Sequence, residues 1–510
     1  MLLKDNINVI VRQGNITALE TDALVINLFK DVTTPRGATG AVDKALNGAI
    51  GQLIVGGDIK GNLGEVAVLY PNGLIPARRV IIVGLGEQEA FDLEAIREAA
   101  AVAIKRGRDL GAKDVATIVH GGGVGGLDII DAAQATVEGS VLALYQYKNP
   151  LKQAAGDKDT PGPETLQVIE FDTNKIGQIE RGAQAGQIIA GSANLARQWV
   201  NLPANLLTPT ALAQAAHDMA EAAGLACRIL EEEGMAELGM NALLSVAKSS
   251  HEPAKFIILE HKGSDKAPVV LVGKGVTFDT GGYSIKSREG MVGMKADMGG
   301  AAAVIATMRA ITLLDLPLHV VALVPCSENM INDRAYKPGD VFAAMNKVTI
   351  EIISTDAEGR MLLADALCYA DTLKPTAVID VATLTGGVGT ALGKHYSGLF
   401  CNDEPLARAI QRAGDITQER FWPLPNDKAY DRQIQSNVAD VKNSGGRMAH
   451  ATLGARFLAH FVGEWPWAHL DIAATATYKG GPEDPVKNYL DEGASGVPVR
   501  MLVHLLRNWP

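Results

Sequence analysis

At 510 residues, with 47% hydrophobic and only 21% charged residues, the chain has the composition of a soluble globular protein with a large core. Its net charge of −11 argues against a broad nucleic-acid-binding face, because phosphate contacts draw on Lys and Arg. No apolar run reaches membrane-spanning length, and the scattered Cys227, Cys326, Cys368 and Cys401 supply neither a disulfide framework nor a thiolate zinc site.

The opening residues 1–6 lack the charged-then-apolar pattern of a secretory signal, so a cytoplasmic protein is expected. Apolar runs at 23–28, 66–70, 80–84 and 115–119 predict buried strands, and 92–110 predicts a helix. A break rich in Pro, Gly, Lys and Asp follows at 149–163, with 168–171 as a last strand of the first domain. A long helix is predicted from about 175 to 200, ending before Pro203. The expected domains are therefore 1–172 and 173–510.

The second part repeats the rhythm. Strands are predicted at 256–259, 269–272, 320–324, 349–353 and 377–381, and apolar helices at 299–314 and 361–373. Strands alternating with helices indicate an α/β fold. Lys274 and Asp279 follow one predicted strand and Asp356 and Glu358 another, so both clusters are expected on the carboxyl rim of an open sheet.

These clusters carry the chemistry. Lys274, Asp279, Lys286, Asp297, Asp356, Glu358 and Arg360 stand beside strongly apolar runs. A buried carboxylate must be hydrogen-bonded, ion-paired or metal-bound, and four exceed what the nearby cations neutralise comfortably. One or two divalent ions are the economical expectation. Asp356 and Glu358, two apart, leave the same face of extended backbone. The bland alternatives are an acidic surface turn for that pair, a simple Lys274–Asp279 ion pair, and a helix-capping role for Asp297.

The motifs resemble those of the leucyl aminopeptidase (cytosol aminopeptidase) family. They are Gly273-Lys274-Gly275-Val276-Thr277-Phe278-Asp279-Thr280-Gly281-Gly282, Ser284-Ile285-Lys286, Met294-Lys295-Ala296-Asp297-Met298 and Thr355-Asp356-Ala357-Glu358-Gly359-Arg360. Val200-Asn201-Leu202-Pro203, Ala382-Thr383-Leu384-Thr385-Gly386 and Trp467-Ala468-His469-Leu470-Asp471-Ile472-Ala473 extend the likeness over roughly residues 190–500. The resemblance implies an α/β metallopeptidase domain with a central mixed sheet flanked by helices. More weakly, it implies a macro-like α/β accessory domain, to which Gly14-Asn15-Ile16-Thr17 and Asp22-Ala23-Leu24-Val25 are similar. A fold relic used in assembly is favoured there over ADP-ribose binding.

It further implies two divalent metal ions, with Lys274, Asp279, Asp297 and Glu358 around one and Asp279, Asp356 and Glu358 around the other. Zinc, manganese, magnesium or cobalt would suit the oxygen-rich set. Two such ions about 3.5–4 Å apart share and acidify a water, and Lys286 meets the developing oxyanion. The resemblance implies that Arg360 holds a bicarbonate that carries the proton to the leaving amine. It implies that Met294, Thr383 and Gly386 line a pocket for a leucine-like first residue of a peptide, and that the assembly is a homohexamer, a dimer of trimers. Ser354 replaces a usual asparagine, His450 a usual glycine, and residues 246–250 lack a nearby glycine. Competing readings are a two-metal phosphoesterase and a peptidase with a secondary DNA-binding role.

Overall fold

The computed structural model describes residues 7–122, 126–147, 149–151 and 162–509. Residues 1–6 and most of the expected break at 149–163 lie outside the described residues. The chain divides into two compact units, Leu3–Asn194 with Val486–Asp491, and Leu195–Pro485 with Glu492–Pro510. The division falls inside the helix Ile176–Asn201, which the sequence reads as a bridge.

In the first unit, six strands form one sheet in the order Asn8–Gln13, Thr165–Glu170, Asp114–Thr117, Ala23–Leu28, Val80–Gly84, Val66–Leu69. All neighbours are parallel except the last pair. The uninterrupted burial of Val80–Gly84 is what a parallel strand covered on both faces requires. The helix Leu93–Asp109 starts where the Asp92 carboxylate accepts from Ala95 N. His120 is fully buried just beyond the strand Asp114–Thr117, its Nδ1 3.1 Å from Asn27 Nδ2. Burial pushes its pKa from an ordinary 6.5 down to about 4.

The second unit is built on a mixed sheet of nine strands. At its centre Trp467–Asp471, Ala377–Ala382, Val269–Gly273 and His319–Asn329 run parallel in that order. Antiparallel neighbours lie on each side, Ser397–Cys401 against Trp467–Asp471 and Lys255–Lys262 against His319–Asn329. The helices Gly299–Leu313 and Gly359–Thr372 are almost entirely buried, as apolar sequence all round demands. Gly300 lets the first of them approach the sheet, since a β-carbon there would stand 2.0 Å from the Val381 carbonyl oxygen.

One strand goes beyond the sequence reading, since Gly275–Asp279 pairs in parallel with the long strand His319–Asn329. Two expectations need correcting. The strand Thr349–Glu351 is not part of the main sheet. It pairs with Val341–Ala343 and Val441–Lys442 in a separate three-stranded sheet. Finally, Asp356 lies in a turn and Glu358 has helical dihedrals as the residue before the helix Gly359–Thr372, so the pair is not extended.

Candidate active site

The carboxyl ends of the central strands gather the charged side chains. Lys274 leaves the strand Val269–Gly273 with its N–H donated to Val381 O at 3.0 Å, and its own carbonyl accepts from Ala301 N at 2.8 Å. Its buried Nζ lies 2.7 Å from Asp297 Oδ1 and 2.9 Å from Glu358 Oε1, and donates to Thr383 O at 3.0 Å. Asp297 is brought alongside by the close approach of the helix Gly299–Leu313. Its Oδ1 also accepts from Thr383 Oγ1 at 2.8 Å.

Asp279 ends the strand Gly275–Asp279. Its Oδ1 accepts from Gly281 N and from Asn329 Nδ2, both at 2.8 Å. Its Oδ2 lies 2.7 Å from Lys286 Nζ, which also lies 2.5 Å from Asp356 Oδ1. One carboxylate oxygen each from Asp279, Asp356 and Glu358 fall within 4.8 Å of one another. Six of the seven expected charged residues therefore meet in one cluster. The simple Lys274–Asp279 pair is not formed, since Lys274 pairs with Asp297 and Glu358 while Asp279 pairs with Lys286. Asp297 does not cap the following helix, whose first flanking residue is Met298. The surface-turn reading fails for Glu358, which is buried, while Asp356 is partly open.

Four carboxylates face two ammonium groups here, leaving two negative charges when all are ionised. Burial raises the pKa of Asp279 to about 6 and lifts Asp297 and Asp356 above their ordinary range, with the Glu358 charge adding to each. Burial would raise Glu358 as well, but Lys274 and Lys286 hold it down at about 2. Burial disfavours both ammonium groups, yet the surrounding carboxylates outweigh it and keep them above their ordinary pKa. Asp297 Oδ2 and Glu358 Oε2 are buried with no hydrogen-bond partner among the described residues. Anionic lone pairs in such positions are costly unless a cation takes them. The donor set fits divalent metal.

Arg360 forms no ion pair with these acids among the described residues, although the charges of Glu358 and Asp356 act on it. Its guanidinium is buried, donates from Nη1 to Asn443 O at 2.6 Å, and leaves Nε–H without a partner among the described residues. Burial lowers its pKa to about 10, which still leaves it charged at neutral pH. Thr383 touches Asp297, Met294 is half-buried, and a β-carbon on the exposed Gly386 would meet nothing within 4 Å.

Several residues that position these groups lie outside the charged clusters picked out in the sequence. Asn443 accepts at Oδ1 from Ile353 N and Ser354 N and donates from Nδ2 to Ser354 O, which holds the turn before Asp356. Thr355 Oγ1 donates to Gly281 O and accepts from Ser284 N, tying that turn to the loop after Asp279. Asp471 accepts from Leu384 N, Thr385 N and Thr385 Oγ1, holding the loop that carries Thr383. The only sequence signal for Asp471 is its place in the motif 467–473.

A mixed α/β sheet whose carboxyl rim gathers such acids with two lysines is the setting of a metallohydrolase, and the comparisons are specific. Residues 194–503 match the catalytic-domain model of the cytosol aminopeptidase family, and 25–152 match its N-terminal-domain model. A relative from Geobacter sulfurreducens named "Probable cytosol aminopeptidase" is 41% identical over 98% of both chains. One of that name from Roseiflexus castenholzii is 40% identical over 98% of this chain and 99% of its own. Among solved structures, the bottromycin maturation enzyme BotP, determined also in complex with Mn, has a TM-score of 0.83 at 33% identity over 96% of this chain and 99% of its own. A variant of tomato leucine aminopeptidase has a TM-score of 0.84 at 30% identity over 98% of this chain and 96% of its own. The chain belongs to the cytosol aminopeptidase family and is a metal-dependent aminopeptidase, with the two-domain α/β architecture expected. Neither the phosphoesterase nor the DNA-binding alternative finds support among these relatives.

Proposed function

We propose that the enzyme removes a leucine-like N-terminal residue, with broad tolerance, from peptides at a centre of two divalent ions. Lys274, Asp279, Asp297 and Glu358 would hold one ion and Asp279, Asp356 and Glu358 the other. The carrying observation is that Asp297 and Glu358 each hold a buried, unpartnered carboxylate oxygen, and that Asp279, Asp356 and Glu358 bring oxygens within 4.8 Å of one another. Manganese or zinc suits the set best, with the Mn complex of the similar BotP favouring the former, and magnesium or cobalt also has the right chemistry. When bound, the ions supply Lewis acidity and lower the pKa of a water toward neutrality.

The chain's own residues do the rest. Lys274 must shed its proton to donate a lone pair, and a neighbouring dication supplies the repulsion for that. Lys286 keeps its charge between Asp279 and Asp356 and offers an ammonium to the developing oxyanion. Arg360, always cationic, would hold a bicarbonate ion through its unpartnered Nε–H and acts as an anion holder, not as a base. Met294, Thr383 and Gly386 would line the pocket for the first side chain. The unit formed by the N-terminal residues acts as an accessory domain, and the enzyme works in the cytoplasm as a homohexamer. Among the described residues no helix is long and apolar enough to cross a membrane.

The test is hydrolysis of leucine p-nitroanilide after chelation and return of single metals, with Asp356→Ala in parallel. Activity should vanish on chelation, return with metal, and be nearly absent in the variant. Turnover like the unaltered enzyme in Asp356→Ala would reject the assigned ligands.

A further inference from the structure

We infer that Asn329 is a positioning residue for Asp279 and so for the metal centre, an inference that rests on the ligand set proposed above. Asn329 is fully buried at the end of the long strand His319–Asn329, in register with Asp279. Its Nδ2 donates to Asp279 Oδ1 at 2.8 Å and to Thr355 O at 2.9 Å. A carbonyl oxygen and an ionised carboxylate both only accept, so the orientation of the amide is dictated by chemistry. Its Oδ1, in consequence, has no partner among the described residues.

Two consequences follow from that one NH₂ group. With Gly281 N, it supplies both hydrogen bonds to Asp279 Oδ1, which fixes the carboxylate plane and leaves Oδ2 toward Lys286 and the other acids. It also clamps the residue before Asp356, adding a link between two ligand-bearing stretches that Thr355 Oγ1 already ties through Gly281 O. The backbone adds to this, since Asn329 O accepts from Thr280 N and Thr280 Oγ1, both at 2.9 Å. Thr355 O has an independent donor, Tyr336 Oη at 2.8 Å. The turn before Asp356 therefore has braces besides Asn329, whereas no other side-chain amide among the described residues donates to Asp279. The contribution particular to Asn329 is the orientation of Asp279.

The full-length enzyme is stripped with chelator and titrated calorimetrically with Mn²⁺, and melting of the stripped protein is recorded alongside. Asn329→Ser should weaken Mn²⁺ binding about 10–100-fold, the range for residues that orient metal ligands. At saturating Mn²⁺, kcat should fall by more than KM changes. Asn329→Leu, close in shape and without a donor, should show the same loss and is read if the serine variant fails to fold. Tyr336→Phe should weaken Mn²⁺ binding less than about threefold. Asn329 variants that bind Mn²⁺ as tightly as the unaltered protein would overturn the inference. Equal weakening by Tyr336→Phe would do so too, since the turn alone would then matter. If Asp279→Asn also binds Mn²⁺ normally, the ligand set fails and the inference with it; a loss in Asp279→Asn without one in Asn329→Ser or Asn329→Leu rejects the inference alone.

Discussion

Gly359 makes room for Lys274: a β-carbon at Gly359 would stand 2.3 Å from Lys274 Cε and 2.7 Å from its Nζ. The lysine stem lies across the first residue of the helix Gly359–Thr372, pinned by Asp297, Glu358 and Thr383 O. Nothing bulkier than hydrogen fits without expelling it.

Gly359→Ala should therefore separate activity from stability. Alanine favours a helix over glycine by about 1 kcal/mol, which partly offsets the clash. Calorimetric melting should change by a few degrees at most, while kcat falls at least about tenfold and metal affinity drops, as for other disturbed ligand supports. Full activity in a folded Gly359→Ala protein would show that Lys274 does not act from this position.

Lys286→Gln removes a charge from between Asp279 and Asp356. Losing a donor to the oxyanion should cost about 10²–10³-fold in kcat. Divalent-ion affinity should hold or tighten, because the ion no longer competes with an ammonium group for two carboxylates. A parallel loss of metal binding would recast Lys286 as a support for the site.

The first unit carries an acid-sensitive group of its own. His120 is depressed to about 4 in the folded state, so its contribution to stability is present above the unfolded value near 6.5. It is lost as pH falls through that window, by up to about 3 kcal/mol, because the unfolded chain binds the proton first. His120→Asn, which keeps an acceptor for Asn27, should be less stable at neutral pH yet show a shallower decline between pH 6.5 and 4. Urea unfolding followed across that range checks it, and an unchanged slope would assign the acid sensitivity elsewhere.

The charged ligand candidates were legible because several carboxylates beside apolar runs require neutralisation whatever the local fold. The strands Val80–Gly84 and Val269–Gly273 were legible for a related reason, since unbroken apolar runs have few other uses in an α/β chain. Gly275–Asp279 was missed because its strand character comes from pairing with Cys326 through Asn329, a tertiary contact that overrides the flanking glycines. The dihedrals at Asp356 and Glu358 were misread because a turn followed by a helix start brings both side chains inward without the period of two. Asn329, Asn443 and Thr355 left no trace in patterning. Neutral amides and hydroxyls are common in loops, and only their partners distinguish them.

The central claim is tested most directly by anomalous diffraction from crystals of the enzyme grown with Mn²⁺. Two peaks per chain are predicted, one among Lys274, Asp279, Asp297 and Glu358 and the other among Asp279, Asp356 and Glu358. A single peak, or peaks away from these side chains, would contradict the account.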